Sequence, residues 1–180
     1  MVERHLALIG LMGTGKSTIG RRCARELVAN FIDTDALVEA TSVMTIAEIF
    51  EACGEADFRE REVVAVTDAC AAPTRSVISC GGGAALDARN RTALRSHAVV
   101  IWLDADVGVL AERVGRTHHR PLLASGDPVA TLTRLASIRG PSYEATAHSR
   151  IDTSTLNHDE ATSAVLAAYR AFGEGDQDGR

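Results

Sequence analysis

The apolar positions of this chain fall into five short runs with strand-like spacing, separated by longer stretches of helical periodicity. The strand-like runs cover 5–9, 30–33, 76–80, 99–103 and a more weakly patterned 150–153. Between and after them the spacing predicts helices over 16–29, 57–71, 87–96, 107–114, 128–146 and 159–172. The first of these carries Ile19, Cys23 and Leu27 on one face and leaves Arg21, Arg22, Arg25 and Glu26 for water. Strands that alternate with helices imply an α/β fold in three layers: a five-stranded parallel sheet with right-handed crossovers and helices on both faces. No internal repeat or linker interrupts residues 1–172, which are expected to form a single domain. The glycine-rich polar tail 173–180 is expected to be disordered.

One segment carries chemistry rather than packing. Residues 10–17 read G-L-M-G-T-G-K-S, directly after the first strand-like run and directly before the first helix. Strand, glycine turn and helix start together are the setting in which this pattern forms a phosphate-binding loop. Gly10, Gly13 and Gly15 let the backbone turn its N–H groups inward on phosphate oxygens, where a Cβ would block the approach. Lys16 adds a point charge for the outer phosphates, and the Ser17 hydroxyl suits Mg²⁺. The positive end of the helix favours the same anion. The segment predicts binding of a nucleoside triphosphate.

Composition narrows the field. The chain has 180 residues and a net charge of −5, which argues against a general nucleic-acid binder. No apolar run approaches the roughly 20 residues of a membrane span, and the first ten residues lack the core of a signal peptide. Cys23, Cys53, Cys70 and Cys80 show neither C-x-x-C spacing nor disulfide density, so reduced thiols of a cytoplasmic protein are expected.

In open parallel sheets ligands sit outside the carboxyl ends of the strands, and those ends are rich in chemistry here. The second run ends Asp33-Thr34-Asp35, the third Ser79-Cys80-Gly81-Gly82-Gly83, and the fourth Leu103-Asp104. A phosphotransferase needs one carboxylate for the metal's water shell and another to orient or deprotonate the attacking hydroxyl. Asp33 and Asp35 would face one side if the extended chain persists. Asp104 competes for the metal role, or else caps the next helix together with Asp106. Three consecutive glycines at a strand end suit close approach by a ligand. Arg59, Arg120 and Arg139 stand among apolar or proline neighbours, and their planar forks suit carboxylate and phosphate. His118 and His119 read as exposed loop residues.

In order and spacing, G-L-M-G-T-G-K-S-T-I-G-R, D-T-D, I-F-E-x-x-G-E-x-x-F-R-x-x-E, S-x-G-G-G and R-P-L-L followed by R-x-P-x-Y resemble the motifs of the shikimate kinase family over about residues 6–153. The resemblance implies a nucleoside-monophosphate-kinase type of P-loop fold with an acceptor-binding segment at about 33–61 and a mobile lid at about 113–125. It implies transfer of phosphate from ATP to the 3-hydroxyl of shikimate, a step of chorismate and aromatic amino-acid biosynthesis, with one Mg²⁺ per subunit. Shikimate falls to Asp35, Arg59, Gly81, Gly82, Gly83 and Arg139. The nucleotide falls to Gly13, Thr14, Gly15, Lys16, Ser17, Thr18, Arg113 and Arg120, and the metal to Ser17 and Asp33. Lys16, Asp35 and Arg120 carry the catalytic roles. A cytoplasmic monomer with no nucleic-acid or membrane partner is the expected form.

The residue chemistry agrees. Shikimate is a hydroxylated ring with one carboxylate, which Arg59 and Arg139 could clamp while Asp35 orients the reacting hydroxyl. Lys16, Arg120 and Mg²⁺ would neutralise the transferring phosphoryl group under a lid that excludes water. Two departures from the family pattern stand out: Ala84-Ala85 after the glycine triplet, and a loop at 154–158 without the arginine and proline expected near adenine. A polyol kinase such as a gluconate kinase would share the phosphate loop but would not need two arginines for a ring carboxylate. A catalytically silent relative would be expected to lose Lys16, Asp35 or Arg59, and all three are present.

Overall fold

The structure is a computed structural model that describes residues 4–115 and 127–175. Its elements run β1 (His5–Ile9), α1 (Lys16–Glu26), β2 (Asn30–Asp33), α2 (Thr34–Ser42), α3 (Ile46–Cys70), β3 (Ser76–Ser79), a 3₁₀ turn (Ala84–Leu86), α4 (Ala88–His97), β4 (Ala98–Asp104), α5 (Val107–Gly115), α6 (Pro128–Thr146), β5 (Ser149–Asp152) and α7 (His158–Gly175). All strand pairs are parallel and the order is β2-β3-β1-β4-β5. This is the expected α/β architecture.

Alternation along β1 divides the core. Leu6 and Leu8 face a layer with Ile19 and Cys23 of α1 and Val165 of α7, while Ala7 and Ile9 face Val66, Leu94 and Leu132 of α3, α4 and α6. Burial on both faces explains why the central strands read as continuous apolar runs. A third cluster of Val38, Ile49, Phe58 and Ala65 joins α2 to α3 and gives the acceptor-side segment its own small core.

Strand β1 lies between β3 and β4, so its outgoing loop opens at the point where the sheet order reverses. In register, Asp33 stands beside Ser79 and Leu8 stands beside Ser79. The ends of β1, β2 and β3 therefore converge, and that convergence places the site.

The structure corrects several expectations. The chain does not stay extended through Asp35: Asp33 ends β2 and its side chain caps α2, accepting from the Asp35 and Ala36 N–H groups. Two unpredicted helical runs follow, α2 and the first part of α3, and α3 starts at Ile46 rather than 57. Its two parts meet at Gly54, whose φ of 82° falls where glycine is the favoured residue. Helix α1 stops at Glu26 instead of 29 because Val28 turns left-handed, with a φ of 50°. The Ala29 N–H then reaches back to the Ala24 carbonyl, closing a Schellman end. Residues 173–175 of the expected disordered tail continue α7.

Candidate active site

The loop after β1 wraps as the glycine pattern requires. At Gly10 (φ 139°) a Cβ would lie 2.1 Å from the Leu103 carbonyl oxygen, so a side chain there would collide with β4. The buried Thr14 donates its hydroxyl to Leu11 O (2.8 Å), and Lys16 Nζ donates to Gly10 O (2.9 Å) and Leu11 O (2.8 Å). The ammonium is thereby held across the mouth of the loop. Gly15 is the N-cap of α1 and offers no side-chain acceptor, which leaves the first-turn N–H groups available to an anion.

Two cavities meet at this loop. The outer one, about 570 Å³, is lined by Gly13, Thr14, Gly15, Lys16, Ser17 and Thr18 of the loop and helix start, and by Arg113, Thr153, Leu156, Asn157 and His158. Arg113, the second-last non-glycine residue of α5, is fixed by bonds to Thr153 Oγ1 (3.2 Å) and Thr153 O (2.7 Å). Asn157 caps α7 through the Asp159 and Glu160 N–H groups. The inner cavity, about 200 Å³, is lined by Asp33, Asp35, Arg59, Glu62, Gly82, Gly83 and Arg139, with Met12, Ile46, Phe50 and Phe58 as its apolar wall. Lys16 and Ser17 line both. A group bound in one cavity thus faces a group bound in the other across a single lysine and serine.

The glycine triplet makes room for charge. A Cβ on Gly81 would lie 2.4 Å from Asp35 Oδ1, one on Gly82 would lie 3.0 Å from Arg139 Nη1, and one on Gly83 would lie 2.3 Å from Arg59 Nη1. Each glycine therefore admits one charged side chain against the backbone. Arg59 is oriented by Glu62 (2.8 Å) and Glu55 (3.0 Å) of its own helix. Glu62 is buried, and burial pushes its carboxyl up while Arg59 and Arg139 pull it down. Asp35 is pushed up to about 6, first by burial and then by Asp33 and Glu62, with Lys16 opposing. That value leaves it mostly ionised near neutral pH yet able to accept a proton.

Ser17 and Asp33 form the third feature. The Ser17 hydroxyl donates to Asp33 Oδ2 (2.8 Å) and lies 3.3 Å from Ser79 Oγ. No cluster of three or more His, Cys, Asp or Glu side chains suited to a metal occurs among the described residues. A hard cation would accordingly draw on one hydroxyl, one carboxylate, water and phosphate oxygens, the donor set Mg²⁺ uses when it is bound with a nucleotide. Asp104 does not enter this group. It pairs with Arg150 (2.5 Å), and Asp106 caps α5 alone.

A family model described as Shikimate kinase matches residues 12–170. The chain belongs to the shikimate kinase family. A shikimate kinase of Symbiobacterium thermophilum is 43% identical over 172 residues, covering 94% of this chain and 98% of that protein. A solved shikimate kinase from Acinetobacter baumannii in complex with shikimate superimposes with a TM-score of 0.88 at 34% identity, covering 93% of each chain. A gluconokinase from Sinorhizobium meliloti reaches a TM-score of 0.64 at 19% identity, covering 97% of each chain, and shares the fold alone. The identity gap separates the shikimate kinase reading from the polyol-kinase alternative.

Every described residue that the family resemblance assigned to substrate, nucleotide or metal lines one of the two cavities or the glycine turn beside the inner one. Arg120 and residues 116–125 of the expected lid lie outside the described residues; 113–115 close α5. Sequence reasoning assigned no role to Glu62, Thr34, Ser79 or Tyr143. Glu62 was available from its spacing, three residues after Arg59 on a helix. Thr34 and Tyr143, which bond to Gly81 N–H and Gly82 O, meet the turn only through the fold.

Proposed function

We propose that this chain transfers the γ-phosphoryl group of ATP to the 3-hydroxyl of shikimate, with ATP in the outer cleft and shikimate in the inner cavity. The observation that carries the assignment is the glycine triplet flanked by Asp35, Arg139 and Arg59, next to a lysine and serine shared with the nucleotide side. Arg59 and Arg139 clamp the ring carboxylate. Asp35 accepts from ring hydroxyls, orients the reacting one and takes its proton. Gly81, Gly82 and Gly83 let the ring approach the backbone.

On the donor side Gly13, Thr14, Gly15, Lys16, Ser17 and Thr18 hold the phosphates, and Arg113 lies along the base-side wall. Lys16 bears on the charge that develops between the two substrates. Mg²⁺ fits the donor set described above: Ser17 would hold it directly and Asp33 through water. When bound, the ion supplies charge neutralisation on the phosphate oxygens. Arg120 keeps the lid role that the family resemblance implies. No described helix is long and apolar enough to cross a membrane, and all four cysteines are free. We expect the chain to act on small molecules as a cytoplasmic monomer.

The test is ADP release coupled to a spectrophotometric readout, with shikimate, gluconate or no acceptor. Release that depends on shikimate and on Mg²⁺ is expected. Release that is equally fast with gluconate, or absent with every acceptor, would overturn the assignment.

A further inference from the structure

The turn 81–83 is pinned from two sides. On one, the buried Thr34 hydroxyl accepts the Gly81 N–H (2.9 Å). On the other, Tyr143 of α6 donates its hydroxyl to the Gly82 carbonyl. Tyr143 is only 2% exposed, and its ring packs on Trp102 of β4 with centroids 5.7 Å apart, so the phenol has little freedom to move. Arg139, four residues earlier on the same helix face, interacts with that same hydroxyl. It also lies against Gly82 itself. Burial pushes the Tyr143 phenol up to about 12, with Arg139 opposing, so it remains a donor throughout the neutral range.

We propose that Tyr143 is a positioning residue for the acceptor: one hydroxyl sets both the Gly82–Gly83 peptide and the Arg139 guanidinium. The peptide is trans, as are all in the described chain. Its carbonyl and the following N–H therefore point in opposite directions. Holding the carbonyl on α6 turns the Gly83 N–H away from α6. Arg139, one turn earlier on α6, lies against the same Gly82 whose carbonyl that hydroxyl holds, which limits where its fork can sit. The backbone of the turn and the cation beside it thus share one anchor on one helix. Tyr143 itself touches no reacting atom.

This inference rests on the shikimate reading above, and Tyr143→Phe tests it while keeping the ring. Steady-state kinetics should show the KM for shikimate rising about five- to tenfold, the scale of one lost hydrogen bond, with the KM for ATP within about twofold. In an Arg139→Lys background the added effect of Tyr143→Phe should be smaller than in the wild type, because one of the hydroxyl's two partners is already altered while the Gly82 carbonyl is not. Thr34→Val, which releases the opposite side of the turn, should give the same shikimate-selective rise and tests the idea if Tyr143→Phe folds poorly. A shikimate KM unchanged in Tyr143→Phe, or both KM values rising by one factor as the melting temperature falls, would overturn the proposal. If the wild-type protein shows no shikimate-dependent ADP release, the functional assignment falls and this proposal with it. If the wild type is active and Tyr143→Phe matches it, only the role of Tyr143 falls.

Discussion

Gly83→Ala is the sharpest probe of the acceptor cavity because it acts on Arg59 without requiring the backbone to move. Gly83 has φ −101° and ψ −8°, a conformation that alanine adopts without strain. Its new Cβ would meet Arg59 Nη1 at 2.3 Å and Cζ at 2.9 Å. Ordinary contact needs about 1 Å more, and the atom in the way is the end of a flexible side chain, so the backbone can stay where it is. The arginine cannot move freely, because Nη1 is the atom bonded to buried Glu62 at 2.8 Å. Displacing it both spoils the carboxylate clamp and leaves a buried acid short of its partner. Loss of a whole charge-assisted pair costs about 2–4 kcal/mol; a displaced one should cost about half to all of that, or roughly a fivefold to nine-hundredfold rise in KM for shikimate. The assay is coupled ADP release at saturating ATP with shikimate varied, beside thermal melts followed by circular dichroism. ATP KM should hold, while the melting temperature should fall modestly as Glu62 loses part of its partner. A shikimate KM within about twofold of wild type, with the protein folded, would show that Arg59 does not bind the acceptor from this position.

Four further outcomes rest on the geometry. With Asp35 at about 6, kcat/KM for shikimate should fall on the acid side near pH 6, where the carboxylate gains a proton and can no longer accept one. Glu62→Gln removes a like charge that raises Asp35, so the acid limb should move to lower pH, and a limb that stays in place would point to another titrating group. Asp33→Asn keeps a good cap for α2 but removes the charge beside Ser17, so the Mg²⁺ concentration for half-maximal rate should rise about tenfold, whereas Asp104→Asn should leave it unchanged; the reverse pattern would exchange their roles. Val28 is exposed and left-handed at the end of α1, so Val28→Gly should raise stability by about 1 kcal/mol in denaturant unfolding, and an unchanged midpoint would mean that the turn carries no strain.

Much of this architecture was legible because the central strands are buried on both faces and the helices are amphipathic. What the pattern missed has local causes. Residues 34–42 read T-D-A-L-V-E-A-T-S, too short and too rich in β-branched and small residues to show a helical stripe. The D-T-D sequence was also compatible with a continuing strand. Its cap could have given it away, since an Asp before the first turn is a start signal, and Thr45 with Glu48 forms a complete capping box before α3. Gly54 broke the periodicity of α3 and hid its first part. The early stop of α1 had no sequence signal, because valine is a rare choice where glycine usually ends a helix. The charged residues of the site were visible from type and spacing. Their uncharged anchors, Thr34 and Tyr143, stand within D-T-D and R-x-P-x-Y, but their role was not legible, since each bonds to backbone brought near only by the fold.

The arrangement around Arg59 explains how one guanidinium can be both fixed and available. Its Nη1 binds Glu62, whose side chain is 2% exposed, whereas Nε and Nη2 bind Glu55, whose side chain is 66% exposed. An exposed ion pair contributes about 0–1 kcal/mol, while breaking a buried one leaves an uncompensated charge and costs several times more. The inner bond therefore sets the position of the group, and the outer bond yields readily to a competing carboxylate. The atom held by the inner bond is also the one that packs on Gly83. Glycine at that position and glutamate at 62 act on the same nitrogen, one by leaving space and the other by holding it there.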